Sequence, residues 1–265
     1  MTPTPLPLTP ALLIIISLEV ASAQNKMWAR EQVNLVLDAG IESIPDYWRS
    51  GEINGKVHRL SSNEVERTKR IISNAFSKYP NEVLSVNLEK VCMFGKMEFY
   101  GLGYGGTYYK NTVYLVNKGD EMGYDDEWIE QSFHHEFSSV LLKKYDRYFN
   151  EEAWRNCNSA DFNYGNGGVD ALASGNCDTD FSEHYNRMGL LNQYGSSDIE
   201  EDVNEFAENL FLPHDGFAEV LQQYPSIRKK RALLIDFYHR INPEFTTEYF
   251  HQILEQKSKV DLSKN

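Results

Sequence analysis

The hydrophobic period of this chain changes twice, and those changes limit what it can fold into. Val65, Ile72, Phe76 and Tyr79 recur at helical spacing behind Ser61-Ser62-Asn63-Glu64, which offers a capping box of Ser61 with Glu64, and Pro80 ends the run. Three short segments follow, Val83 to Phe94, Met97 to Tyr104 and Thr112 to Asn117, rich in Val, Leu, Phe and Tyr and separated by Gly or Lys-Asn turns. They read as a small sheet. From Asp126 the helical period returns, with Ile129, Phe133, Phe137, Val140, Leu141 and Tyr145 on one stripe. Helical runs then occupy 200–212, 216–224, 227–241 and 246–256, punctuated by Pro213, Pro225 and Pro243. The order predicts an α+β fold: a small mixed sheet, one central helix and a mainly helical C-terminal lobe. Met27 to Tyr47 also shows helical spacing up to the break at Pro45. Asn150 to about Ser182 shows little periodicity, and a loop of that length inside a compact chain is usually functional or flexible. There is no internal repeat and no low-complexity tract.

The chain has 265 residues, 41% hydrophobic and 13% aromatic, enough to bury a full core. Its formal net charge of -13 disfavours nucleic acid and anionic lipid as partners. The basic run Arg228-Lys229-Lys230-Arg231 reads as one solvated helix face. Residues 1–23 lack Lys and Arg, carry the apolar run Ala11 to Leu18 and end in Ala21-Ser22-Ala23, the pattern of an export signal cut before Gln24. That run is too short to span a bilayer, and no later stretch is apolar enough, so an exported protein without a membrane span is expected. In an exported chain Cys157 and Cys177, which flank the irregular segment, invite a disulfide that closes it. Cys92 reads as a buried free thiol. No Cys-x-x-Cys pair exists, which excludes a thiolate zinc knuckle.

The chemistry centres on Phe133-His134-His135-Glu136-Phe137-Ser138-Ser139. In the pattern His-Glu-x-x-His, histidines at i and i+4 on one helix reach a single Zn²⁺ and the intervening Glu activates water. Here His135 and Glu136 are present, but position 139 is Ser, a poor ligand because a neutral hydroxyl donates far less than imidazole. His135 and Ser139 share the helix side opposite the apolar stripe. Gly101 to Gly106 contains Gly-x-Gly-x-x-Gly without a following helix, which argues against a dinucleotide site, and Asp178 with Asp180 do not complete a calcium loop.

A small sheet, a helix with His135-Glu136, a connecting segment and then a helix carrying Glu201-Asp202-Val203-Asn204-Glu205-Phe206-Ala207-Glu208 together resemble the zincin metallopeptidases, in particular the gluzincin branch. The resemblance covers roughly residues 97–212, preceded by a helical and strand region at 24–96 and followed by packed helices at 213–265. It implies Zn²⁺ held by His135 and Glu201, with Glu205 four residues on as the fallback ligand or second carboxylate. It further implies Glu136 as general base, Tyr194 as a hydroxyl stabilising the oxyanion, and Thr112 to Asn117 as the edge strand that pairs with an extended peptide. In place of a histidine at 139, three repairs are open: His134 turns in, although adjacent helix residues point about 100° apart; a distal histidine, His184 being more reachable than His214, supplies the nitrogen; or the metal is lost. The function implied is an exported zinc-dependent metallopeptidase or metallohydrolase with an atypical ligand set, acting on a peptide or protein substrate. The alternative is a metal-free protein of the same fold whose cleft is a binding or scaffolding surface. Without context, Glu200, Glu201, Asp202, Glu205 and Glu208 would be a solvated first turn favoured by the helix dipole.

Overall fold

A computed structural model describes residues 33–264, so the expected export signal and the first part of the Met27 to Tyr47 run lie outside the described residues. The architecture is α+β. Six strands form one sheet: β1 (Asn34–Val36), β2 (Lys56–Arg59), β3 (Lys90–Phe99), β4 (Leu102–Gly103), β5 (Gly106–Tyr109) and β6 (Thr112–Val116). The main path runs β1-β3-β6-β5, with β2 and β4 also paired to β3. β3 is parallel to β1 and β6, while β2, β4 and β5 run antiparallel to their partners.

Alternation sorts the two sheet faces. Val91, Met93, Val113 and Leu115 enter the main core, whereas Cys92, Phe94, Tyr114 and Val116 form a second cluster with Ala39 and Ile44. From residues 36–57, Val36, Ala39, Ile44, Trp48, Ile53 and Val57 pack on that second face, with the Trp48 ring set edge-on against Phe99. Ten helices are described: α1 (Val65–Ser77), α2 (Asn81–Asn87), α3 (Asp126–Lys144), α4 (Glu151–Arg155), α5 (Gly168–Ser174), α6 (Glu183–Arg187), α7 (Ile199–Phe211), α8 (Phe217–Gln223), α9 (Pro225–Ile241) and α10 (Thr247–Lys264). Among the described residues no helix is long and apolar enough to cross a membrane.

Several expectations change on contact with the structure. The described part of Met27 to Tyr47 is a short strand and 3₁₀ turns rather than a helix, because Val36 and Ile44 pack on the sheet. Val83 belongs to α2, since a short apolar run behind Pro80 suits a helix as well as a strand. Ser61 makes no side-chain cap; Glu64 instead binds Arg67 and Asn117. β6 is flanked on both sides, by β3 and β5, so Thr112 to Asn117 is not an edge and β5 is the strand exposed on that side. All three cysteines are free thiols: Cys92 is buried, Cys157 bonds the Ala153 carbonyl, and Cys177 is exposed, so the expected disulfide is absent.

The basic run is not a solvated face throughout. Lys230 is fully buried, its Nζ 2.5 Å from Asp202 Oδ2 and stacked over the Trp154 ring. The same carboxylate oxygen accepts Trp154 Nε1 at 2.8 Å and the Tyr164 hydroxyl at 2.5 Å. α7 is thereby tied to α9 and to the start of the long segment between α4 and α6. Within that segment residues 173–180 are all exposed.

Candidate functional site

The site lies where α3 crosses α7. Asp125 caps α3 by accepting Trp128 N at 2.7 Å, and Asp198 caps α7 by accepting Glu201 N at 2.8 Å. These caps fix the phase of each helix. On α3 the apolar stripe of Ile129, Phe133, Phe137, Val140 and Leu141 packs into the core, yet Ser138 and Ser139 on other faces are buried as well. On α7, Glu201, Glu205 and Glu208 fall at i, i+4 and i+7 and so share one face. That face meets His135.

The two ring nitrogens of His135 look in opposite directions. Nε2 lies 2.8 Å from Glu201 Oε2, a charge-assisted hydrogen bond, and Glu201 Oε1 accepts the Tyr194 hydroxyl at 3.0 Å. The Tyr194 ring also stacks beside the imidazole. Nδ1 faces two further carboxylates, 3.4 Å from Glu208 Oε2 and 3.6 Å from Glu205 Oε1. His135, Glu205 and Glu208 offer three ligand atoms within 4.8 Å of one another, the grouping among the described residues that could hold a metal ion. Glu201, the expected first ligand, stands closest to the ring but at the other nitrogen, outside the group of three.

Electrostatics follow from this crowding. Burial disfavours a charged His135, but hydrogen bonds to Glu201 and Glu208 outweigh it and hold the imidazole well above the ordinary histidine range. Burial and the neighbouring Glu208 charge push Glu205 well up. Burial alone would raise Glu208 too, but its bonds to His135 and His214 keep it below the usual carboxylate range. Glu136 is pushed up to about 8, by burial and by Glu201, Glu200 and Glu208, with the adjacent His135 opposing.

Two glycines bring backbone close against the group. A Cβ on Gly106 in β5 would sit 2.6 Å from Glu136 Oε1. A Cβ on Gly168, at the start of α5, would collide with Glu201 Oε1 and come within 2.7 Å of the Tyr194 hydroxyl. The irregular segment expected between Asn150 and Ser182 therefore folds back over Glu201.

Ser139 does not face the cluster with a free hydroxyl. Its Oγ accepts Asn204 Nδ2 at 2.7 Å, and both residues are buried between α3 and α7. A neutral pair thus fills the helix position one turn beyond His135. Ser139→His would force an imidazole into the space Asn204 holds, and we expect a loss of about 1–3 kcal/mol in unfolding free energy by urea titration; an unchanged midpoint would show that the space is there.

Of the other expected residues, His184 is exposed on α6 with its ring against Tyr185, and the structure does not bring it into the group with His135. His134 points away from the cleft: its Nδ1 is 2.9 Å from the Tyr79 hydroxyl, its ring stacks on Phe211, and burial pulls it down to about 4. His214 does approach, with Nε2 3.4 Å from Glu208 Oε1. Sequence reasoning left Glu208 among the solvated acids, although its i+7 spacing from Glu201 was the available signal. Asn192, which donates to Glu205 Oε2 and accepts Gly195 N, and Asn204 carried no such signal.

No protein-family model matches the sequence, and no curated protein matches it. Among solved structures, one from Bacteroides caccae, proposed to be a zinc-binding metallo-peptidase, superposes with a TM-score of 0.55 over 89% of this chain and 92% of that chain, at 14% identity. The likeness is one of fold.

Proposed function

We propose that this chain is an exported metal-dependent hydrolase of the peptidase class, gluzincin-like in layout, whose cation is held by His135 through Nδ1, Glu205 and Glu208. The observation that carries the reading is the convergence of these three donors at one buried point. Two donors about 2.0–2.1 Å from a tetrahedral ion stand about 3.4 Å apart, whereas a charged N–H···O bond favours about 2.7–2.9 Å. The 3.4 and 3.6 Å separations at His135 Nδ1 fit the former spacing. The donor set therefore suits a divalent cation, but not the two-histidine arrangement the sequence motif suggested.

A bound ion would supply Lewis acidity, making water more acidic and polarising a carbonyl. The chain's own residues do the rest. Glu136 is the base that takes the proton; Glu201, clamped between the imidazole and the Tyr194 hydroxyl, fixes the ring so that Nδ1 faces Glu205 and Glu208, the role an outer carboxylate plays at metal-bound histidines. Tyr194 then serves Glu201 before any oxyanion. β5, the edge strand beside Glu136, is the strand along which an extended peptide would lie. Export rests on residues 1–23 alone.

The test is direct: protein purified without a histidine tag and dialysed against Zn²⁺ should retain close to one ion per chain, and His135→Ala should lose it. Less than about 0.1 equivalent in the parent would remove the metal reading, since structural and catalytic sites bind far more tightly. A second reading has its own observation in the Ser139–Asn204 pair, which closes off one ligand position with neutral groups. Under it the cleft is metal-free and binds or scaffolds, and the same measurement separates the two.

A further inference from the structure

We infer that His214 is a positioning residue for the candidate metal centre, holding the Glu208 carboxylate in the orientation that presents Oε2 to the ion; the inference rests on the proposed centre of His135, Glu205 and Glu208. Glu208 stands between two imidazoles. Its Oε2 lies 3.4 Å from His135 Nδ1, and its Oε1 lies 3.4 Å from His214 Nε2. A carboxylate on a helix swings about its terminal torsion at little cost, so one fixed oxygen requires a partner on the other. His214 is that partner.

Beyond Glu208, the residue is itself fixed from two sides. Its backbone N–H donates to Asn209 Oδ1 at 3.0 Å, and the Asn209 amide donates to the Glu205 carbonyl at 2.9 Å, so one side chain links the turn after α7 to the helix residue that carries the other carboxylate. The ring packs edge-on against Phe181 at the far end of the long segment, and Phe181 in turn lies against Phe217 of α8. Remaining about 38% exposed at the side chain, His214 adds little core area of its own, so its removal should be read at the centre rather than in the fold.

Co²⁺ binding, followed by its visible absorption and by competition with a chromophoric chelator, tests this with the full chain. The parent should bind one Co²⁺. His214→Ala should weaken binding about 10–100-fold, the usual effect of removing an outer-shell partner, with stoichiometry still one and an altered absorption band. His214→Gln, whose amide can donate to the same oxygen, should return most of the affinity. The thermal midpoint of metal-free His214→Ala should match the parent, which a merely structural role would not allow. Equal affinity in His214→Ala and parent would overturn the inference, as would two Co²⁺ in the parent with one lost in His214→Ala, which would make His214 a ligand of a second ion. A parent that binds no Co²⁺ would fail the centre itself, before any His214 variant is compared.

Discussion

Lys230→Met is expected to lower the unfolding free energy by about 3–5 kcal/mol, the cost of leaving one charge of a buried pair without its partner. Lys230 and Asp202 are both fully buried, and Asp202 Oδ1 already has no hydrogen-bond partner. Burial pulls Asp202 up and Lys230 down, and each group's charge opposes the other's shift. With the ammonium gone, Asp202 keeps only the Trp154 indole and the Tyr164 hydroxyl. Adding Asp202→Leu should recover part of the loss but not all, because the Trp154 indole N–H would then be buried unpaired at about 1–3 kcal/mol, while the Tyr164 hydroxyl keeps only the bond from Asn158. Urea unfolding with tryptophan fluorescence, Trp154 being at the centre of the pair, reads both variants against the parent. A loss under about 1 kcal/mol in Lys230→Met would place the pair among ion pairs of surface strength and undo this account. The effect matters for the site because Asp202 neighbours Glu201 on α7, while Trp154 and Tyr164 lie on α4 and the segment that follows it.

The second large effect is on turnover. In a parent protein loaded with its cation and hydrolysing a mixed-sequence quenched peptide library, Glu136→Gln should reduce the rate by about 10²–10⁴-fold, the usual contribution of a positioned base. Cation stoichiometry and thermal midpoint should be unchanged, since Gln matches Glu in shape and keeps the contact with Gly106. Alone, the carboxyl is held near 8 by burial and neighbouring acids, so it carries a proton at neutral pH; a nearby cation favours its ionised form. Retained turnover in the variant would remove Glu136 as base. A loaded parent with no turnover on any peptide would instead favour the binding alternative.

Much of the fold was legible because long helices advertise their period. The run expected at 200–212 is Ile199–Phe211, and that at 227–241 is Pro225–Ile241. The central helix was equally plain from Ile129 to Leu141. What failed to show were relations between distant segments. Lys230 looked like part of a solvated charge run because its partner, Asp202, is 28 residues away. β6 looked like an edge because strand order is set by which neighbours pair, and β5 is too short and Gly-Tyr-rich to announce itself. Spacing put Glu201, Glu205 and Glu208 on one helix face, but which ring nitrogen of His135 each meets is set only when α3 and α7 dock.

Two glycines set the room around the carboxylates. Gly106 on one side and Gly168 on the other bring bare backbone against Glu136 and Glu201, with less clearance than a methyl group would need. The two carboxylates are therefore bounded there by main chain, whose position the sheet and the start of α5 control, rather than by side chains that can rotate aside. A side chain added at either position would displace a carboxylate of the group rather than share its space.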